Sequence, residues 1–250
     1  MRAFGFLLIV ILAIVDLDLA SSQVTDVPSS KKGDLPMYRP ALLGGGPNSL
    51  INRIDTQDLI KKGQKDAAIM FNCSVRKTGA VEWSGTYRGT PDSKLLDQEV
   101  HKRLSDAKFI PAVYNHTAVA AIYYGTVTFA IVDGRPRLRI FSNQQAEDLI
   151  KESDFIGPQP FYGPDSRFTG FHYPSDAAVS IDGTVLLEIK VDALGNLQEL
   201  KVRSEEPPFL GFGDAAASDL GRAKFIPAFR DGKPTASNVT VPVFYKSSNF

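Results

Sequence analysis

The feature that most constrains this chain is a six-residue sequence that occurs twice. Ala-Lys-Phe-Ile-Pro-Ala stands at 107–112 and again at 223–228, 116 positions later. One short match arises by chance, so the upstream residues decide whether it belongs to a repeat. The residues that coincide in the same register include Val75 with Val191, Gly79 with Gly195, Pro91 with Pro207 and Leu104 with Leu220. The chain therefore carries a tandem duplication, and its function has to be explained for two copies of one unit.

Alternating apolar residues predict the first strand of each copy. In a half-buried strand every second side chain faces the core. The predicted inward sets are Ile69, Phe71, Cys73 and Val75 in the first copy and Val185, Leu187, Ile189 and Val191 in the second. A turn and a return strand follow in both copies. In the second copy, Leu197 followed by Leu200 and Val202 changes parity once, which predicts a β-bulge.

Helical periodicity predicts one helix in each copy, at 94–109 and at 212–225. The proline of the repeated hexapeptide ends each helix, because its ring disfavours a helical conformation at the preceding residue. Apolar runs at 120–132 and 239–245 predict a closing strand. We therefore predict an α+β fold of two tandem small modules, each a three-stranded antiparallel sheet packed by a helix.

Composition shifts divide the chain into five predicted segments. Prolines and a Gly44-Gly45-Gly46 run mark a turn-rich region before the first helix, and aromatic residues, proline and glycine mark the region between the copies. The segments are a signal peptide at 1–22, an irregular lead-in at 23–55, the first module at 56–132, a linker with a short helix at 133–172, and the second module at 173–250.

The first 22 residues have the pattern of an export signal. Arg2 precedes a twelve-residue apolar run at 4–15, and Ala20 to Ser22 are small residues, which predicts cleavage near Ser22. The alternative is an inner-membrane anchor formed by residues 4–15. That run is short of the ~20 residues that a spanning helix needs. Membrane contact is expected only if the leader is retained.

Charge and cysteine content exclude several classes of function. Lys and Arg together number 28, as do Asp and Glu, so the near-zero net charge gives no reason to expect nucleic acid as a partner. Cys73 is the single cysteine, so no intramolecular disulfide forms. In the repeat register it stands opposite Ile189, on the apolar face of a strand. We therefore interpret it as a small buried residue and not as a nucleophile.

The sequence shows no catalytic, metal-binding or cofactor-binding pattern, and we predict that the protein is not an enzyme. His101, His116 and His172 have no further ligand at metal-binding spacing and are interpreted as surface residues. Glu205 and Glu206 precede two prolines and are interpreted as an exposed turn rather than an acid–base pair. An enzyme with an unfamiliar site stays open as an alternative.

The second copy carries a specific order of residues. It runs through Tyr173-Pro174, Gly183-Thr184-Val185, Val191-Asp192, Gly195, the hexapeptide, Asp231-Gly232-Lys233-Pro234 and Val239-Thr240-Val241-Pro242-Val243. From Tyr173 to Tyr245 this order resembles the C-terminal domain of the TonB family. The first copy is a degenerate version, because Gln57 stands opposite Tyr173 and Ser84 stands opposite Leu200.

The resemblance implies a periplasmic, non-catalytic protein-binding module. Domains of this family dock on outer-membrane transporters by pairing an edge strand with an extended segment of the partner. An envelope protein, such as an outer-membrane transporter, is therefore the expected partner, which links the protein to transmembrane transport. The candidate partner-binding residues on the last strand are Val239, Thr240, Val241, Val243 and Phe244. Pro242 lacks an N–H, which suits an edge strand.

The alternative function is that of a structural or self-associating envelope protein, including a homodimer, whose modules pair with each other. Energy transduction is not expected. In the family it needs an inner-membrane helix and a long proline-rich spacer, whereas residues 23–56 extend at most ~120 Å at ~3.3–3.6 Å per residue. The four prolines in that span do not make a rigid spacer.

Overall fold

The structure is a computed structural model that describes residues 35–142, 154–175 and 180–247. These residues contain four α-helices and sixteen β-strands, numbered here in chain order. The predicted signal peptide at 1–22 and the predicted short helix at 144–152 lie outside the described residues.

The elements of the first half of the chain surround one long strand, β7. The elements before it are β1 (Tyr38–Arg39), β2 (Leu42–Leu43), α1 (Leu50–Arg53), α2 (Thr56–Lys61), β3 (Ala67–Val75), β4 (Val81–Gly89), α3 (Lys94–Leu104), β5 (Phe109–Ile110) and β6 (Ala112–Tyr114). They are followed by β7 (Thr117–Val132) and β8 (Arg135–Ser142).

The second half repeats the hairpin, the helix and the short strands of this succession. It contains β9 (Phe155–Ile156), β10 (Gln159–Tyr162), β11 (Gly183–Val191), β12 (Leu197–Glu206), α4 (Phe212–Leu220), β13 (Phe225–Ile226), β14 (Ala228–Arg230), β15 (Lys233–Thr235) and β16 (Ser237–Tyr245). The strands β15 and β16 together correspond to β7 of the first half.

Each copy forms antiparallel strands in the same order, β4-β3-β7 in the first sheet and β12-β11-β16 in the second sheet. The register also agrees. Ala67 pairs with Phe129 and Val75 with Ala121, while 116 positions later Gly183 pairs with Tyr245 and Val191 with Ser237. The α+β class with small antiparallel sheets is therefore confirmed. The arrangement as two tandem modules, including their boundaries, remains a prediction.

Both predicted helices end earlier than expected. The first stops at Leu104 and the second at Leu220, where the sequence predicted 109 and 225. Phe109 and Phe225 continue the helical spacing of apolar residues, but their backbones are extended and belong to β5 and β13. The prediction of the helix ends was wrong because a buried phenylalanine satisfies the pattern in either conformation.

The repeated hexapeptide joins the helix to the hairpin in both copies. The N–H of Phe109 donates to the carbonyl of Gly79 (2.9 Å), and the N–H of Phe225 donates to that of Gly195 (3.0 Å). Both glycines have positive φ, and a Cβ at these positions would lie 2.1 Å and 1.9 Å from the phenylalanine carbonyl oxygen. Only glycine permits so close an approach.

The predicted bulge lies on β12. Lys190 pairs with Glu199 and Val191 with Leu197, so Gln198 is the extra residue. This confirms the bulge that the change of parity predicted.

The predicted lead-in and linker contribute strands that the sequence analysis did not predict. In the lead-in, β1 pairs with β6 and β2 pairs with β5. In the linker, β8 pairs with β7, and β10 pairs with both β7 and β13. The strand β8 alternates exposed arginines with half-buried residues such as Leu138 and Ile140, so its period of two was visible in the sequence.

Two hydrophobic cores form, one on the helix side of each sheet. The first lies between α3 and a sheet face that includes Phe71, Cys73 and Phe129. The second lies between α4 and the corresponding face of the second sheet, and it also takes in Ile122 and Tyr124 from β7. We call the helix side of each sheet its front face and the opposite side its back face. Residues on the back face of the first sheet thus pack into the core of the second copy.

Candidate protein-docking site

The strand β16 forms one edge of the second sheet. Its inner edge pairs with β11 along its whole length, from Ser237 to Tyr245. Among the described residues, no strand pairs with its outer edge. The backbone groups on that edge are therefore available to an added strand.

The five candidate residues fall into two sets. Val239, Val241 and Val243 are buried in the front-face core, where they pack under α4. Thr240 is exposed, and Phe244 is half-buried on the back face. Side chains of the first set hold the strand in place, so a partner could reach this strand only through its outer backbone edge and the back-face residues.

The corresponding edge of the first sheet is occupied. Along β7, residues 125–132 pair with β8 and residues 120–121 pair with β10. The same positions of the second copy, 236–237 and 241–248, fall on β16 and on the residues directly before and after it. The two edges therefore differ in their partners although their strands share one register.

The back face of the first sheet lies beside the outer edge of β16. Met70, Tyr87 and Tyr124 border the edge at 239–242 and leave a gap of about 60 Å³. The rings of Tyr87 and Phe244 stack with centroids 6.3 Å apart. A gap of this size is far below the roughly 300–1,000 Å³ of ordinary ligand sites. An added strand at 239–242 therefore requires the first sheet to move away.

These bordering residues were not identified from the sequence, although a signal was present. In the first copy, apolar residues occupy both faces of the sheet strands, as Met70 and Tyr87 illustrate. Apolar residues on both faces indicate a sheet that is covered on both sides. In the second copy the positions of Met70 and Tyr87 hold Leu186 and Arg203.

Aromatic rings anchor the end of β16. Tyr245 packs against Phe212 (5.2 Å between centroids) and Tyr173 (6.1 Å). The hydroxyl of Tyr173 donates to the carbonyl of Ile181 (2.9 Å) and accepts from its N–H (3.1 Å). Burial raises the pKa of Tyr245. The Tyr-Pro pair that begins the recognised sequence order thus fixes the start of β11 and the end of β16 together.

The predicted exposed turn at Glu205 and Glu206 is wrong. Both residues belong to β12, and the Glu205 carboxylate accepts hydrogen bonds from the N–H groups of Leu210 (3.0 Å) and Phe212 (3.1 Å). Since Phe212 begins α4, the carboxylate satisfies a free N–H group at the helix start. Its function is structural.

The histidines and the cysteine occupy positions without catalytic geometry. All three histidines are exposed, and His172 Nδ1 lies 3.1 Å from a carboxylate oxygen of Asp219. Cys73 is fully buried, as predicted, and burial raises the pKa of its thiol. Within residues 35–142, 154–175 and 180–247, no group of three or more His, Cys, Asp or Glu side chains could hold a metal ion.

The fold and its edge define a class, that of small α+β domains with an edge strand that no described strand pairs with. Residues 169–247 match the family described as Gram-negative bacterial TonB protein C-terminal. This part of the chain is similar to that family, which is one of non-catalytic interaction domains of the periplasm. No curated protein and no solved structure matches the chain.

None of the four helices in the described part of the chain has the length and apolar character needed to span a bilayer.

Proposed function

We propose that residues 169–247 bind an extended segment of an envelope protein, of the outer-membrane transporter class, by adding it as a strand to the outer edge of β16. The observation that carries this proposal is the difference between two equivalent edges. The outer edge of β7 is paired with β8 and β10, while no described strand pairs with that of β16. An antiparallel strand added at this position is thus a geometry that the chain already builds once. We propose binding alone, without energy transduction.

The direction of the backbone groups along β16 identifies the residues that would contact the partner. Proline is tolerated in a strand where its missing N–H would point away from the neighbouring strand. Pro242 therefore places its nitrogen on the outer edge. Because N–H groups alternate between the two edges, Thr240 and Phe244 direct theirs outward as well. Thr240, which is exposed, is the best position at which to test the edge.

A buried hydroxyl beside the edge supports the proposal. Tyr124 borders the gap next to β16, and its hydroxyl has no hydrogen-bond partner among the described residues. An unpaired buried hydroxyl costs on the order of 1–3 kcal/mol. A carbonyl of an added strand would accept from it once the first sheet moves away from the edge.

The test is a peptide-binding titration with the full chain. Peptides tiled across the periplasmic amino-terminal segments of outer-membrane transporters serve as probes, and fluorescence anisotropy measures binding. Thr240→Pro removes one outward N–H and should weaken binding at least about tenfold, since one net hydrogen bond is worth about 0.5–1.5 kcal/mol and the ring also obstructs the edge. Thr240→Val keeps the N–H and the side-chain volume, and it should bind like the unchanged chain.

Equal binding by Thr240→Pro and Thr240→Val would refute docking at this edge. If no peptide binds and sedimentation shows a dimer that Thr240→Pro dissociates, the edge serves self-association instead.

A further inference from the structure

A second opening lies on the other side of the Tyr87–Phe244 stack. It is a cleft of about 540 Å³ between the back face of the first sheet and the segment around Phe171. Its volume falls within the roughly 300–1,000 Å³ typical of small-molecule sites. The docking proposal uses one residue of this cleft, Phe244, through its backbone N–H.

Aromatic side chains form much of its wall. Trp83, Tyr162, Phe171 and Phe244 line the cleft, and Trp83 is 40% exposed. The side chains of Trp83 and Ser74 lie near the Tyr162 hydroxyl. Burial raises the pKa of Tyr162 to about 12, so its hydroxyl stays protonated at neutral pH. Rigid aromatic walls favour a flat apolar group.

An unpaired amide faces the cleft. Asn72 lines it, is only 8% exposed, and its side-chain amide makes no hydrogen bond with any described residue. Its Oδ1 lies near Gly85, where an added Cβ would be 3.7 Å away. A ligand with a polar group would therefore find a hydrogen-bonding partner in this amide.

The charges at the cleft favour an anion. Glu82 is already paired with Arg76 (3.0 Å) and accepts from the hydroxyl of Ser74 (3.4 Å). Lys246 also lines the cleft, and none of the described carboxylates pairs with it. A lysine ammonium with no paired carboxylate attracts a negatively charged ligand.

The second copy shows that the sheet itself does not require these residues. The positions of Asn72, Trp83 and Gly85 hold Glu188, Glu199 and Lys201 in the second copy. There Glu199 forms ion pairs with Lys190 and Lys201, and Glu188 pairs with Arg203 on an exposed back face. The same backbone thus carries a charged surface in one copy and an aromatic cleft in the other.

We propose that this cleft is a binding site for an aromatic carboxylate. The aromatic ring packs against Trp83 and its neighbours, the carboxylate pairs with Lys246, and the Asn72 amide donates a hydrogen bond to the ligand. Docking at β16 is a separate function, so Thr240→Pro should leave this binding unchanged.

Trp83 makes the test direct, because it is the only tryptophan of the chain. Its fluorescence is followed while the full chain is titrated with N-acetylphenylalanine, which has a ring and a carboxylate. N-acetylphenylalaninamide has the ring without the charge, and N-acetylalanine has the charge without the ring. We expect a saturable change with the first probe, at least tenfold weaker binding of the second, and no binding of the third.

Two variants assign the contacts. Lys246→Gln lies on the surface and should reduce the affinity for N-acetylphenylalanine to that for the amide. Asn72→Leu keeps the branched shape of the side chain and removes the amide, and it should weaken binding at least fivefold. Three outcomes would overturn the proposal. They are equal affinity for N-acetylphenylalanine and its amide, an affinity that neither variant changes, and the absence of any saturable response.

A titration with a peptide distinguishes a free aromatic acid from the carboxyl end of a protein as the ligand. Ala-Ala-Ala-Phe presents the same ring and carboxylate at the end of a polypeptide. Binding as tight as that of N-acetylphenylalanine would support the carboxyl end of a protein as the natural ligand. Weaker binding of the peptide would support a free aromatic acid.

Discussion

The two copies share one backbone register but differ in what covers them. Their front faces, their helices and the contact between glycine and the hexapeptide correspond position by position. Their outer edges and back faces do not. The first sheet is closed by β8 on its edge and carries an aromatic cleft on its back face, whereas no described strand pairs with the outer edge of the second sheet and its back face carries ion pairs. The two copies therefore agree where they pack under the helix and differ at their edges and back faces.

The largest effect is expected where the turn glycine contacts the hexapeptide, and it tests whether this contact is equivalent in both copies. Gly79→Ala and Gly195→Ala should each cost about 3 kcal/mol or more, since left-handed strain of about 1–2 kcal/mol adds to overpacking of about 1–3 kcal/mol. Urea unfolding of the full chain measures the loss. Gly232→Ala is the matched control, because Gly232 has a φ of +71° but nothing within 4 Å of its Cβ position. It should cost only the strain. If Gly79→Ala or Gly195→Ala cost no more unfolding free energy than Gly232→Ala, the contact between the glycine and the hexapeptide would not be equivalent in the two copies.

The next prediction converts a core pair of one copy into that of the other. Phe71 lies opposite Gly125, where an added Cβ would be 2.6 Å from the phenylalanine ring, and the corresponding pair in the second copy is Leu187 and Val241. Gly125→Val alone should cost about 1–3 kcal/mol by overpacking. Adding Phe71→Leu should restore much of that stability, with a coupling energy of about 0.5–3 kcal/mol from a double-mutant cycle.

Additive losses of unfolding free energy from the two substitutions would contradict this prediction. They would mean that the residue pair of the second copy does not fit the core of the first.

A smaller effect is expected where the first sheet borders the edge of β16. Tyr87→Leu keeps an apolar side chain but removes the ring that stacks on Phe244. Because an aromatic pair is worth about 0.5–1.5 kcal/mol, peptide binding at β16 should tighten about two- to tenfold. Tyr38→Leu is the control, since the ring of Tyr38 packs at a tilt against that of Tyr114 and does not line the gap beside β16. Unchanged binding by Tyr87→Leu would mean that the first sheet does not restrict access.

The smallest effect concerns the ion pairs of Glu199 on the back face of the second sheet. Hydrogen bonds from Lys190 and Lys201 lower the pKa of Glu199 to about 2 from its ordinary value of 4.5. A carboxylate whose pKa is lower in the folded state stabilises the fold above pH ~4.5, and this contribution is lost as the pH falls toward ~2. With Glu199→Gln, Tm should therefore fall slightly less steeply as the pH is lowered over that range. A fall as steep as that of the unchanged chain would contradict this assignment.

Local pattern in the sequence was enough to predict the repeated part of the fold. The alternation around Cys73, the parity change after Leu197 and the 116-residue register all have counterparts in the structure. Helix ends were predicted less well, because the buried Phe109 and Phe225 fit a helical pattern as readily as a strand. The candidate residues of β16 were placed on a single edge strand, while the assignment of docking to them remains a proposal.

The sequence by itself determined the fold of each copy, since periodicity, turn glycines and the hexapeptide act over short distances along the chain. It also contains, at residues 169–247, the pattern that matches a family of protein-interaction domains. Only the tertiary structure decided that β8 closes one edge, that Tyr87 borders the other, and that Asn72 and Trp83 share a cleft with Lys246. Periodicity reports that a face is buried but not what buries it, because that depends on residues brought together from distant parts of the chain.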